Sequence, residues 1–80
     1  MIFYIYVLRS LKDNRRYVGM SKHPDKRLLE HNAGYTKSTK GYRPWILIYK
    51  EEFDTLQEAR NREVFLKSGI GRAFLDRLHL

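Results

Sequence analysis

The 80-residue chain contains no cysteine. That excludes a disulfide framework and any thiolate metal site, and it fits a reducing cytoplasm. Long hydrophobic runs are also missing. The apolar run Ile2 to Leu8, seven residues before Arg9, is too short to cross a membrane. The same segment lacks the basic lead and small-residue cleavage site of a signal peptide, so a cytoplasmic protein without membrane contact is expected. There are no repeats, low-complexity tracts or linkers, which leaves residues 1–80 as one domain with a modest core. Acidic residues are scarce in one half only. Residues 1–43 hold ten Lys/Arg and three Asp/Glu, residues 44–80 six of each, so the whole excess of +7 lies in the first half.

What is present is enough for a fold: 42% of the residues are hydrophobic and 14% aromatic. Residues 2–9 (IFYIYVLR) are β-branched and aromatic on both alternating faces, as in a strand covered on both sides. Lys12-Asp13-Asn14 signals a turn, and residues 15–20 (RRYVGM) return as a second strand. Gly19 within it marks a bulge or a close backbone approach. Pro24 and Gly34 bracket a first helix at 24–33, with Leu28 and Leu29 facing inward. A polar, basic loop over 34–44 leads to a third strand, Trp45 to Phe53. Thr55 and Glu58 match a capping box for a second helix that runs to about Lys67. Ser68-Gly69-Ile70-Gly71 breaks it, and residues 72–79 form a short final helix. The expected class is α+β: a three-stranded antiparallel sheet flanked by helices, ββαβα plus the short C-terminal helix.

The basic half places Tyr35, Thr36, Ser38, Thr39, Tyr42 and Trp45 among Lys37, Lys40 and Arg43. Cations and hydroxyls bind phosphate oxygens and aromatic faces stack on bases, so the pattern points to nucleic acid. Lys22, Lys37, Thr39, Lys40, Arg43 and Lys67 are the candidate contacts. In the second helix, Leu56, Ala59, Glu63 and Leu66 fall along one stripe, with Glu63 in the middle of the inward face. Such a carboxylate either forms a salt bridge, with Lys67 at i+4 or an arginine of the basic half, or holds a cation at a cleft. One carboxylate with water and phosphate oxygens suits Mg²⁺. Arg27 and His31 share a helix face away from Leu28 and Leu29. That face is either ordinary solvated surface or the wall of the same cleft, where Arg27 stabilises charge on a phosphate and His31 binds phosphate or assists proton transfer. Tyr6 and Tyr17, on the two hairpin strands, are either packing or a general base whose phenol pKa falls beside a cation.

Tyr4-Ile5-Tyr6, Tyr17-Val18-Gly19, Arg27 with His31-Asn32, and Glu63 together resemble the GIY-YIG nuclease superfamily over nearly the whole chain. They are most similar to its small stand-alone bacterial proteins, related to the N-terminal nuclease domain of the excinuclease C subunit. Arg43-Pro44-Trp45, and Arg62-Glu63 through Leu66-Lys67 to Gly69-Ile70-Gly71-Arg72, also look like that subgroup. The resemblance implies a divalent-metal-dependent endonuclease, structure-specific and linked to DNA repair or recombination. Its site would be Tyr6, Tyr17, Arg27, His31 and Glu63, with Glu63 the sole protein ligand of Mg²⁺ (or Mn²⁺). Its partner would be nucleic acid, DNA rather than RNA, with a protein partner or a homodimer for targeting. Two positions depart from the motifs: Tyr4 stands where the name-giving glycine would be, and Val18 replaces isoleucine. No Asn follows Glu63, although some superfamily members use one there. A non-catalytic DNA- or RNA-binding module on the same fold is the alternative.

Overall fold

A computed structural model describes residues 1–80. Strands β1 (Phe3–Ser10) and β2 (Arg16–Ser21) form the expected hairpin, followed by helix α1 (Pro24–Ala33) and a four-residue helix α2 (Lys37–Lys40). Strand β3 (Trp45–Phe53) and helices α3 (Leu56–Lys67) and α4 (Gly69–Arg77) complete the chain. The sheet is antiparallel throughout, in the order β2-β1-β3. No helix is long and apolar enough to cross a membrane.

Alternation along β1 sends its side chains to two faces. Ile5 and Val7 join Val18 on one face, where Ala59 and Leu66 of α3 and Leu75 of α4 cover them. Tyr6 and Leu8 join Trp45 on the other, with Tyr17, Leu28, Tyr42 and Leu47 around them. Burial of a leucine such as Leu66, at 0% exposure, contributes about 1.5–3 kcal/mol.

Local signals account for most boundaries. Ser10 Oγ accepts from the amides of Lys12 and Asp13, and Asn14 takes a left-handed conformation to close the hairpin. Gly34, at φ 85°, ends α1, and its amide and that of Tyr35 return to the carbonyls of His31 and Glu30. Thr55 Oγ1 accepts from the Glu58 amide and donates to the Glu58 carboxylate, a variant of the expected capping box.

Several expectations are corrected. The basic segment 34–44 is not all loop, because α2 lies within it. The final helix starts at Gly69 rather than 72: Ser68 is both the end of α3 and the cap of α4, its Oγ accepting from the Gly71 amide. Gly71 continues that helix because its missing side chain lets α4 lie against the Phe65 carbonyl and Leu66 Cα. Leu29 is 71% exposed and Leu56 44%, so neither faces inward. On α3 the buried line runs through Ala59 and Leu66, drawn toward Phe65 by packing of α4. Glu63 lies roughly 60° around the helix from Leu66, at the edge of the inward face and not at its middle.

Candidate active site

The α1 face that carries His31 is turned onto the sheet rather than to solvent. His31 is fully buried there against Tyr6 and Tyr17, while Leu28 packs at the Trp45 end. The physical reason is polar pairing inside an aromatic cluster. Tyr6 Oη lies 3.2 Å from His31 Nε2, and His31 Nδ1 lies 2.8 Å from Thr39 Oγ1. Thr39 spends its own hydroxyl proton on the Thr36 carbonyl. Thr39 Oγ1 therefore accepts from His31 Nδ1–H, and Nε2 carries the lone pair that accepts from the Tyr6 hydroxyl. The Arg27 guanidinium lies close enough to the Tyr6 phenol to favour its charged form. Tyrosine, histidine, threonine and a backbone carbonyl thus form one chain of donors pointing the same way, in which each link polarises the next.

Gly19 makes the Tyr6 position possible. It pairs with Tyr6 across the strands, and a Cβ there would lie 2.5 Å from the Tyr6 hydroxyl and ring. The close backbone approach expected at Gly19 is to this ring, lying across an edge strand. Tyr17 stacks beside it, with its ring centroid 6.3 Å from that of Tyr6 and 4.8 Å from that of His31. It keeps more of its surface open and borders a hollow of about 600 Å³ together with Arg16, Lys67 and Arg72.

The electrostatics correct one expectation. The Tyr6 pKa is raised, not lowered: burial disfavours the phenolate, and the opposing influence of the Arg27 guanidinium does not overcome it. Smaller contributions from Tyr17 and from the Glu63 charge also raise it, which puts Glu63 within electrostatic reach of the same cluster. His31 is held below its ordinary value, first by burial and then by the Arg27 charge, so it is neutral at pH 7. Arg27 donates to Glu30 at 2.6 Å, and this bond, followed by the proximity of Tyr6, raises its own pKa. Arg27 is a permanent cation, about one-third exposed beside the buried phenol.

Glu63 approaches from the opposite layer on α3. Its side chain is 22% exposed, and Oε2 accepts from Lys67 Nζ at 3.2 Å, the i+4 salt bridge that its spacing allowed. Nowhere in the chain do three or more His, Cys, Asp or Glu side chains converge. The donor set therefore fits no closed protein cage, but it fits a hard cation that keeps its water and takes one carboxylate.

The candidate phosphate contacts are dispersed. Lys37, Lys40 and Arg43 are exposed on and after α2, with Arg43 Nε donating to the Lys40 carbonyl at 2.8 Å. Lys22 follows β2, its amine 5.4 Å from the Phe3 ring centroid, and Lys67 sits over Glu63. Thr39 must be withdrawn from this group: it is 1% exposed, its hydroxyl serves His31, and its carbonyl accepts from Trp45 Nε1. Sequence reasoning missed that supporting role because nothing local pairs residue 39 with residue 31. It also missed Asn32, whose side chain clamps both backbone groups of Trp45 at 2.9 and 2.7 Å, and Lys12, which joins Lys40 and Arg43 around a shallow hollow.

Comparison with known proteins agrees with the fold. The sequence model of the GIY-YIG catalytic domain matches residues 2–72. A UPF0213 protein of Staphylococcus saprophyticus is 44% identical over 66 residues, covering 81% of this chain and 79% of that protein. One from Natronomonas pharaonis is 40% identical over 76 residues, 94% of this chain and 87% of its own. The solution NMR structure of a UPF0213 protein from Bacillus halodurans superposes with a TM-score of 0.59 at 31% identity, over 98% of this chain and 85% of the other. The chain belongs to the GIY-YIG family, a nuclease-type fold whose members are generally divalent-metal-dependent endonucleases acting on nucleic acid.

Proposed function

We propose that the protein is an endonuclease that hydrolyses phosphodiester bonds with Mg²⁺ or Mn²⁺ held by Glu63. The observation that carries this reading is the pairing of a buried phenol (Tyr6) with a neutral histidine (His31) in one directed hydrogen-bond chain, beside a permanent cation (Arg27). A carboxylate lies within electrostatic reach of it.

Each residue then has a role. Arg27, partly exposed and always charged, binds the scissile phosphate and offsets charge that develops on it. Tyr6 is too well buried to serve as a standing phenolate. It acts by passing its hydroxyl proton toward His31 Nε2 as it accepts one from the attacking water or from Tyr17. His31 is neutral and fixed in the accepting tautomer by Thr39, so it can take that proton. Tyr17, the more open of the two phenols, orients the water. A divalent ion at Glu63 would supply Lewis-acid stabilisation of the leaving oxygen. Lys67 pairs with Glu63 here and, were Glu63 to hold the ion, would be available to a neighbouring phosphate. DNA is the favoured polymer, with a role in repair or recombination and with targeting by a protein partner or by dimerisation.

Glu63→Ala tests the reading on a panel of flaps, branched DNA, single strands and RNA, with Mg²⁺ and Mn²⁺. Cleavage should be abolished while binding is retained. Cutting by the variant as fast as by the parent would remove Glu63 from the chemistry. Binding without cleavage by the parent on every substrate would make the chain a recognition module.

A further inference from the structure

We infer that Tyr4 and the cations around it form a stacking subsite for an unpaired nucleotide next to the bond that the Tyr6–Arg27 cluster addresses. This rests on the nuclease reading above and specifies its substrate: a strand with an unpaired base at the cleavage site.

Tyr4 occupies the position that breaks the first family motif, and nothing in the proposed chemistry uses it. Strand alternation puts it on the same face as Tyr6, two residues and about 7 Å away. The register sets Tyr6 opposite Lys50 on β3 and Tyr4 between Ser21 of β2 and Glu52 of β3. Helix α1 covers the Tyr6 end of this face, and Tyr6 is 1% exposed. The helix begins only at Pro24, so its first turn borders the Tyr4 end without closing it, and Tyr4 remains partly open.

The result is a hollow of about 490 Å³, lined by Tyr4 with Lys22, His23, Asp25, Lys26 and Lys50. Three lysines face one aspartate there, with Glu52 across the strand from Tyr4. The volume is that of small-ligand sites, yet its one aromatic surface is the Tyr4 ring, with Pro24 the other apolar residue in the lining. One aromatic face in a cationic rim is the arrangement that holds a base by stacking and its phosphates by charge. The Lys50 ammonium already lies 5.2 Å from the Tyr4 ring centroid and can move to a phosphate when a base takes the ring. Arg27, one helical turn beyond His23, leads directly from the hollow to the Tyr6 hydroxyl.

An unpaired strand fits this hollow better than a duplex. Bases in a duplex are stacked on both sides, and bringing one onto Tyr4 would first require unstacking and unpairing, at a cost of a few kcal/mol. A single strand or a flap presents a base face without that cost.

Binding is measured by fluorescence anisotropy in EDTA, so that no cleavage intervenes, for a single-stranded DNA oligonucleotide and a blunt duplex of the same sequence. Tyr4→Leu keeps side-chain bulk but removes the π face, whereas Tyr4→Phe keeps both. Tyr4→Leu should weaken single-strand binding about tenfold and leave duplex binding within about twofold, and Tyr4→Phe should match the parent. A 2-aminopurine in the single strand should be quenched by the parent and by Tyr4→Phe, but not by Tyr4→Leu. Equal single-strand affinity for all three proteins, or equal loss on both polymers, would overturn the subsite while leaving the nuclease reading standing. Failure of the parent to bind either polymer would overturn both.

Discussion

The two faces of the sheet are built from the same strands and differ in kind. Toward α3 and α4 the contacts are Ile5, Val7, Val18, Ala59, Leu66 and Leu75, an apolar layer whose interior atoms want only to leave water. Toward α1 the contacts are Tyr6, Tyr17, His31, Thr39 and Trp45, where every buried polar atom has a partner. One face contributes transfer free energy; the other exchanges some of it for a directed hydrogen-bond chain. A buried polar network is costly unless completely satisfied, and this one is satisfied through four elements, β1, α1, α2 and β3. The proposed chemistry thus uses the face that is harder to build, with Glu63 within electrostatic reach of it from the other layer.

Four perturbations would sharpen or break this contrast. Leu66→Ala on the apolar face should have the largest effect on stability, a loss of about 2–5 kcal/mol in chemical denaturation. Cleavage per folded molecule at low denaturant should stay near the parent value. A comparable fall in cleavage would mean that the two faces are not separable.

Gly19→Ala comes next. The added methyl meets the Tyr6 hydroxyl and ring, and overpacking of this kind costs about 1–3 kcal/mol. Here stability and cleavage should fall together, because Tyr6 cannot yield without leaving His31. Full cleavage by a folded Gly19→Ala protein would show that the Tyr6–His31 contact is dispensable.

His31 provides a smaller, pH-dependent effect. Its folded pKa lies below the ordinary value of about 6.5. As pH falls through 6.5, the unfolded chain takes up a proton that the folded chain refuses, so stability declines from there down to the depressed folded value. His31→Gln should flatten that decline in urea midpoints measured between pH 7.5 and 5.5. Identical slopes for parent and variant would mean that burial does not hold His31 neutral.

Lys37, Lys40 and Arg43 should matter least for stability. Changing all three to Ala should leave the melting temperature nearly unchanged and lower the salt dependence of nucleic-acid binding, by up to about 0.9 in log–log slope for each phosphate no longer neutralised. An unchanged slope would direct attention from the α2 region to the lysines around Tyr4.

Much of the frame is legible in the sequence because its signals are local. The alternation of residues 2–9, Asn14 in the turn, Gly34 at the helix end and Thr55 with Glu58 each act over a few neighbouring residues. Among the candidates, Glu63 stands out in the sequence as a carboxylate on an apolar stripe, whereas Tyr6, Tyr17, Arg27 and His31 are singled out through the family likeness. Thr39 misleads for the opposite reason. A threonine among lysines looks like a phosphate contact, and only the fold of α2 against α1 turns it inward to His31. Leu29 and Leu56 mislead because helical periodicity identifies an apolar stripe but not what will cover it.

The order of the strands and longer helices, the concentration of positive charge in the first 43 residues and the identity of the chemical groups all follow from the sequence alone. Tertiary structure decided which face of α1 meets the sheet, which tautomer His31 holds and the direction in which the Tyr6 pKa moves. Those depend on burial and on partners far apart in the chain. Desolvation by the fold outweighs the nearby Arg27 cation at Tyr6, and no spacing in the sequence measures that balance.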